Sequence, residues 1–137
     1  MKEAHTVLEA GPFESLAEKR SLGVPGKLFL GKELGLTGCE VSLTRLPAGS
    51  GIPFVHAHRQ NEEVYIVLRG EGTFYVDGRE IPIREGSAIR VSPAGERSYR
   101  AGREDLYVMC IQAREGSLSQ ATLEDGFRVA GRKTSWM

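Results

Sequence analysis

The sequence predicts an all-β protein, a sandwich or barrel of short strands. Glycine supplies 17 of the 137 residues, and the glycines separate short runs in which apolar and polar side chains alternate. Alternation with a period of two is typical of strands that bury one face. Helical periodicity is weak along the chain, so about eight strands joined by turns are the dominant pattern.

The strands are expected at a regular spacing along the chain. In the first of them, Val41, Leu43 and Arg45 share one face by period-two patterning. The remaining runs are bounded by glycine, proline and polar residues, as strands usually are. The predicted strands are 41–46, 53–58, 63–69, 72–76, 79–84, 88–92, 97–100 and 105–112.

A tight hairpin is the clearest local signal. Asp77-Gly78 stands between two of these strands, and two-residue turns with positive φ prefer this pair. Pro82 has no N–H to donate, so the returning strand lies at a sheet edge or contains a bulge. A short helix is expected only over Phe13–Lys19.

The length fits a single domain covering residues 1–137. The strand-rich core spans 38–113, and the segments 1–37 and 114–137 are peripheral arms. Trp136 lies near the end of the second arm, where a large apolar side chain is unusual in water. We therefore expect it to pack onto the core or onto a partner subunit.

Composition excludes several classes of function. Eighteen Lys and Arg balance eighteen Asp and Glu without clustering, so no nucleic-acid partner is expected. The longest apolar run, Leu106–Ile111, is far shorter than the roughly 20 residues of a membrane span. The amino terminus has no apolar signal core, which favours a cytoplasmic location. Cys39 and Cys110 are isolated, as is typical of reduced, buried thiols.

The chemistry is concentrated in His56-Ala57-His58. On a strand, residues i and i+2 project from the same face, so both imidazoles can reach one metal ion. Glu63 follows after a short polar turn. Two imidazoles and a carboxylate suit Zn, Ni, Co, Mn or Fe, although two strand histidines can also simply form hydrogen bonds.

The spacing of these residues resembles the first signature of the cupin family. HxH, four residues, Glu63, six residues and Gly70 follow the family pattern, and the resemblance extends from Glu40 to Gln112. It implies a double-stranded β-helix, the jelly-roll cupin barrel, with short terminal arms. It also implies that His56, His58 and Glu63 point inward and bind a divalent ion such as Fe, Mn, Ni or Zn.

The sequence departs from the family where the second signature supplies another histidine. Depending on the register, that position is Arg97 or Ser98, and neither residue coordinates a divalent metal well. Two hypotheses follow. One is a metal site with open positions acting on a small organic molecule, as in cupin oxygenases and isomerases. The other is a metal-free barrel that binds or senses a small anion through Arg97 or Arg100.

The remaining site expectations are less specific. By strand parity, Tyr65 lies on the face of Glu63, and Tyr99 on that of Arg97, so both tyrosines can line a pocket with Ser98. Whether the protein is an enzyme, and which residues are catalytic, stays open. We also expect a homodimer, since Pro82 marks an edge strand and Leu28-Phe29-Leu30 offers apolar surface.

Overall fold

A computed structural model describes residues 3–120 and 122–137 of the chain. Strands dominate it, and the helices are short. The helices are two 3₁₀ turns, Phe13–Glu18 and Ser21–Gly23, followed by α1 (Gly31–Leu34) and α2 (Thr122–Asp125). The strands are β1 (Lys27–Phe29), β2 (Glu40–Leu46), β3 (Asn61–Arg69), β4 (Glu71–Val76), β5 (Arg79–Arg84), β6 (Ala88–Val91), β7 (Arg97–Ala101) and β8 (Leu106–Arg114).

The strands form two antiparallel sheets that face each other. The larger has the order β1-β2-β8-β3-β6, and the smaller has the order β5-β4-β7. Both sheets contribute to one buried cluster between them, which includes Tyr65 and Val108 from the larger sheet and Phe74 and Tyr99 from the smaller. The prediction of an all-β protein is confirmed.

The hairpin and the edge strand are also where the sequence predicts them. Asp77 and Gly78 adopt φ of 48° and 85°, the left-handed values that the two-residue turn requires. Pro82 lies on β5, which pairs only with β4 and is an edge of the smaller sheet. The missing N–H of Pro82 therefore interrupts no ladder.

The predicted strand at 53–58 is wrong. Gly51 pairs with Arg100 and His56 with Arg97, as two isolated bridges. Five steps along this segment thus match three along β7, and the two extra residues loop outward. Phe54 and Val55, within this bulge, are exposed. Pro53 adds to the break because it cannot donate a hydrogen bond to a ladder.

Two further differences concern the arms. β1 was not predicted, because its three residues are too few to establish a period. It pairs with β2 and places Lys27 opposite Thr44. The expected helix over Phe13–Lys19 is a 3₁₀ helix, and its Leu16 packs in a small cluster outside the larger sheet with Leu43 and Tyr107.

The carboxyl-terminal arm packs little apolar surface. Trp136 is 79% exposed, so the expected packing of its ring onto the core is wrong. Other large apolar side chains of this arm are also exposed: Leu118, Leu123, Phe127, Val129 and Met137. Within the described residues, no helix has both the length and the apolarity to cross a membrane.

Glycines allow close backbone approach at the start of β4. A Cβ on Gly72 would lie 2.0 Å from the carbonyl oxygen of Arg100, and one on Gly70 would lie 2.4 Å from that of Asp105. Gly70 also has a φ of 90°. No larger residue fits at these two positions without moving the backbone.

Asp105 fastens the loop before β8 to β2. Its carboxylate accepts hydrogen bonds from Arg45 Nη2 and the Ala48 N–H, each at 2.9 Å. The Ala48 N–H and then Arg45 lower the pKa of Asp105. A carboxylate with a folded-state pKa below its unfolded value stabilises the fold above the unfolded pKa, and this stabilisation is lost as pH falls through the folded pKa.

We therefore expect Asp105→Asn to lower the free energy of unfolding at pH 7 by about 1 kcal/mol, a value kept small because the pair is partly exposed. The difference from the wild type should shrink below about pH 4. Urea unfolding at a series of pH values measures it. Glu104→Gln, at the exposed neighbouring position, is the matched control and should leave stability unchanged. An equal loss at pH 7 and pH 3 would contradict the electrostatic origin.

Candidate functional site

His56, His58 and Glu63 come together at one end of the interior. The two histidines lie on the irregular segment before β3, and Glu63 lies near the start of β3. His56 Nε2 is 3.6 Å from Glu63 Oε1, and His58 Nε2 is 3.4 Å from Glu63 Oε2. One ligand atom from each residue lies within 4.8 Å of the other two. The structure thus brings together the three predicted ligands.

Backbone hydrogen bonds fix the two histidines even though no regular strand forms. The N–H of His56 donates to the Arg97 carbonyl, and the N–H of Arg97 donates back to the His56 carbonyl. The N–H of His58 donates instead to the Pro93 carbonyl at 2.8 Å. The segment therefore leaves β7 after His56 and continues along the turn before β7.

The site is open on the histidine side and closed on the carboxylate side. The side chains of His56 and His58 are 36% and 26% exposed, whereas Glu63 is only 4% exposed. A ligand therefore reaches the imidazoles first. The carboxylate forms the floor of the site.

Glu63 is surrounded by hydrogen-bond donors. Tyr65 Oη donates to its Oε1 at 2.5 Å, and Cys110 Sγ donates to its Oε2 at 3.2 Å. Burial alone would raise the pKa of Glu63. The nearby donors His56, Tyr65 and Cys110 outweigh burial and lower the pKa to about 2. Burial, followed by the charge of Glu63, raises the pKa of both Tyr65 and Cys110, so both remain protonated donors.

Arg97, not Ser98, faces the site. It is fully buried, and its Nε lies 3.5 Å from Glu63 Oε1. Its terminal nitrogens donate to backbone carbonyls, Nη2 to Ser92 at 3.1 Å and Nη1 to Pro93 at 3.4 Å. Ser98 Oγ instead donates to the Ile52 carbonyl at 3.3 Å. A guanidinium therefore stands beside the carboxylate where the family pattern would place a ligand.

The two tyrosines have different surroundings. Tyr65 and Tyr99 are both buried, with ring centroids 5.7 Å apart, and both pack against Phe74. Tyr65 contacts Glu63, so it belongs to the site. Burial raises the pKa of Tyr99, and a polar neighbour, Thr44, opposes this rise. Tyr99 therefore belongs to the adjoining interior.

Sequence reasoning missed two residues near the site. Cys110 is the buried reduced thiol that was expected, but its donation to Glu63 was not foreseen. The signal was available in its parity on β8, where Cys110 pairs with Tyr65. Lys27 gave no such signal, because β1 itself was not predicted.

The residues present fit a divalent metal ion. His58 Nε2 and His56 Nδ1 are buried without a hydrogen-bond partner among the described residues. A buried nitrogen without a partner destabilises the folded protein unless a proton donor or a metal ion binds to it. With Glu63, the imidazoles form a nitrogen and oxygen donor set that Fe, Mn, Ni or Zn accepts. Arg97 is the one group of the cluster whose charge opposes an ion.

Comparison with known proteins identifies the family and the fold. Residues 42–112 match the family model described as Cupin domain. The solved structure of a cupin protein from Bacteroides fragilis is similar to this chain, with 42% sequence identity. The superposition has a TM-score of 0.73 and covers 75% of this chain and 88% of that one. The jelly-roll fold expected from the HxH and Glu63 spacing is confirmed.

Two more distant relatives come from Thermotoga maritima. The oxalate-binding protein is 31% identical over 68 residues, which is 49% of this chain and 55% of that protein. The chain thus matches only about half the length of that relative. The structure of a predicted oxalate decarboxylase is 28% identical with a TM-score of 0.51, covering 54% of this chain and 64% of that one.

The contact between Glu63 and Arg97 can be measured in metal-free protein. Removing one partner of a buried ion pair leaves the other uncompensated and costs about 3–5 kcal/mol. We expect Arg97→Met and Glu63→Gln each to destabilise the protein strongly. The loss of unfolding free energy in the double variant should be smaller than the sum of the two single losses. We expect a coupling free energy of at least about 1 kcal/mol in urea unfolding.

The exposed pair Arg69 and Glu14, whose side chains are 51% and 62% exposed, is the matched control. The same cycle with Arg69→Met and Glu14→Gln should give a coupling indistinguishable from zero. Strict additivity at Glu63 and Arg97 would show that the guanidinium does not stabilise the carboxylate.

Proposed function

Because this chain belongs to the cupin family, we propose that it binds one divalent metal ion through His56, His58 and Glu63 and uses that ion to hold a small organic anion. The observation that best supports the proposal is the convergence of the three ligand atoms within 4.8 Å. The buried, unpartnered Nε2 of His58, which lies 3.4 Å from Glu63 Oε2, supports it further.

The charge of the cluster favours an anionic ligand. Glu63 contributes one negative charge and Arg97 contributes one positive charge, so with neutral imidazoles the metal-free cluster has no net charge. A divalent ion would add two positive charges. Excess charge in a poorly solvated interior is costly, and a carboxylate ligand removes it. The oxalate-binding relative from Thermotoga maritima agrees with this preference.

The protein groups have separate roles in this proposal. The half-exposed histidines form the entrance, and Tyr65 and Cys110 keep Glu63 ionised and oriented. A bound divalent ion supplies Lewis acidity toward an oxygen of the organic molecule. Three protein ligands leave coordination positions for that molecule, which suits oxygenase-like or isomerase-like chemistry as well as plain binding.

One observation favours a second candidate, a metal-free binding barrel. Arg97 already neutralises Glu63 without a metal ion. However, Arg97 is fully buried, its terminal nitrogens each donate to a backbone carbonyl, and its Nε lies beside Glu63, so little of the guanidinium faces the open side of the site. Arg100 is exposed at the surface, so it does not line an interior anion-binding site either. The metal-dependent candidate therefore fits the geometry better.

Elemental analysis of protein purified without an affinity tag tests this choice. We expect close to one Fe, Mn, Ni or Zn ion per chain, and loss of the ion in the His56→Ala, His58→Ala double variant. His5→Ala is the matched control, since His5 lies exposed in the amino-terminal arm, and it should keep the metal. Absence of metal from the wild type, unrecoverable after addition of each ion, would leave the metal-free candidate.

We also propose that the chain forms a homodimer. Leu28-Phe29-Leu30 is half-buried within the fold and offers little surface for a partner. The carboxyl-terminal arm offers more. Phe127 and Trp136 of that arm are 87% and 79% exposed. Such a concentration of exposed apolar side chains is typical of a contact surface. A second copy of the chain offers Val64, Ile66 and Ile111 on the outer face of its larger sheet.

Sedimentation equilibrium at micromolar concentration tests the dimer. We expect a species of twice the 15.0 kDa chain mass, and a shift toward monomer in the Phe127→Ser, Trp136→Ser double variant. Leu22→Ser, at an equally exposed apolar position in the other arm, is the control and should remain dimeric. A wild type that sediments only near 15.0 kDa would overturn the proposal.

A further inference from the structure

Lys27 is a half-buried cation on the interior side of the larger sheet. It lies on β1 directly opposite Thr44 of β2, so the two side chains share a face. Thr44 is 2% exposed, which identifies that face as the interior one. Lys27 Nζ donates to Thr44 Oγ1 at 3.2 Å and lies 5.2 Å from the centroid of the Phe29 ring.

In the part of the chain that the structure describes, no carboxylate pairs with this ammonium group. None of the ion pairs among residues 3–120 and 122–137 includes Lys27. Burial lowers the pKa of Lys27, against the attraction of the Glu63 carboxylate. Glu63 is within electrostatic reach, but its oxygens already accept hydrogen bonds from Tyr65 and Cys110 and lie beside Arg97. A cation removed from water without a partner is unfavourable unless a ligand supplies the opposite charge.

Several polar side chains are buried in the interior between Lys27 and Glu63. Ser42 and Thr44 are 4% and 2% exposed, and hydroxyl groups are costly to bury where only apolar contacts are needed. Across the sheet, Ser42 pairs with Cys110, and Cys110 pairs with Tyr65, whose hydroxyl reaches Glu63. From the opposite sheet, Tyr99 lies close enough to Thr44 for that side chain to lower the pKa of the tyrosine, against burial. Polar side chains thus connect the ammonium group to the proposed metal ligands.

We propose that Lys27, supported by Thr44, is a second anion-binding position, so that the site selects organic molecules with two carboxylate groups over those with one. One carboxylate faces the ion held by His56, His58 and Glu63, and the other pairs with Lys27. This inference rests on the proposed function, because it presumes that an anion binds at the metal site. It adds the class of ligand, a short dicarboxylate, and the residue that selects it.

Isothermal titration of metal-loaded protein tests the selection, with oxalate, malonate and succinate compared with acetate. We expect at least one dicarboxylate to bind at least tenfold more tightly than acetate in the wild type. Lys27→Met should weaken the binding of that dicarboxylate at least tenfold and leave the affinity for acetate unchanged. Lys27→Arg keeps the charge and should retain most of the preference. Lys32→Met, at an exposed lysine of α1, is the matched control and should behave as the wild type.

A second readout separates ligand selection from a structural role. Without ligand and metal, Lys27→Met should not lower the midpoint of thermal unfolding, because it removes an unpaired buried charge. A lowered midpoint together with an unchanged dicarboxylate preference would assign Lys27 to the fold and overturn the proposal. Metal-loaded wild type that binds neither acetate nor any dicarboxylate would instead overturn the proposed function itself.

Discussion

A buried carboxylate is the constraint around which this molecule is organised. Glu63 is 4% exposed and ionised, and an isolated charge in that position would be strongly unfavourable. Separate parts of the chain each bring a compensating group: β3 brings Tyr65, β8 brings Cys110 and β7 brings Arg97. The irregular segment before β3 brings both histidines. The interior of the barrel and the geometry of the site therefore depend on the same charge.

The buried guanidinium changes the electrostatic balance of this site. A histidine at position 97 would add a neutral ligand, whereas Arg97 adds a positive charge beside Glu63. Its terminal nitrogens satisfy the carbonyls of Ser92 and Pro93, so the same side chain also fixes the turn that holds His58. Removal of Arg97 would thus disturb both the charge and the backbone of the site.

Much of the fold and the set of ligands could be predicted from the sequence, because they depend on local rules. The Asp77-Gly78 turn needs only a preference for positive φ. The convergence of His56, His58 and Glu63 followed from the family spacing, whereas the strand assumed for the two histidines does not form, and backbone hydrogen bonds to Arg97 and Pro93 hold them instead. The choice between Arg97 and Ser98 depends on which face of β7 turns inward, and the structure buries Arg97, Tyr99 and Ala101 on that face. The spacing between Gly86 and Pro93 leaves this register ambiguous by one residue in the sequence. Lys27 lies on a strand of three residues that is defined by its partner β2 and not by its own sequence.

The outward loop at 53–55 has a consequence for how such a protein can diversify. Both ends of the loop are fixed to β7, by the bridges at Gly51 and His56, so its length and composition can change without displacing the histidines. Phe54 lies with its ring 6.0 Å from that of His56, beside the open side of the site. Substitutions or changes of length within the loop at 53–55 can therefore alter which molecules reach the site, while His56, His58 and Glu63 keep their positions.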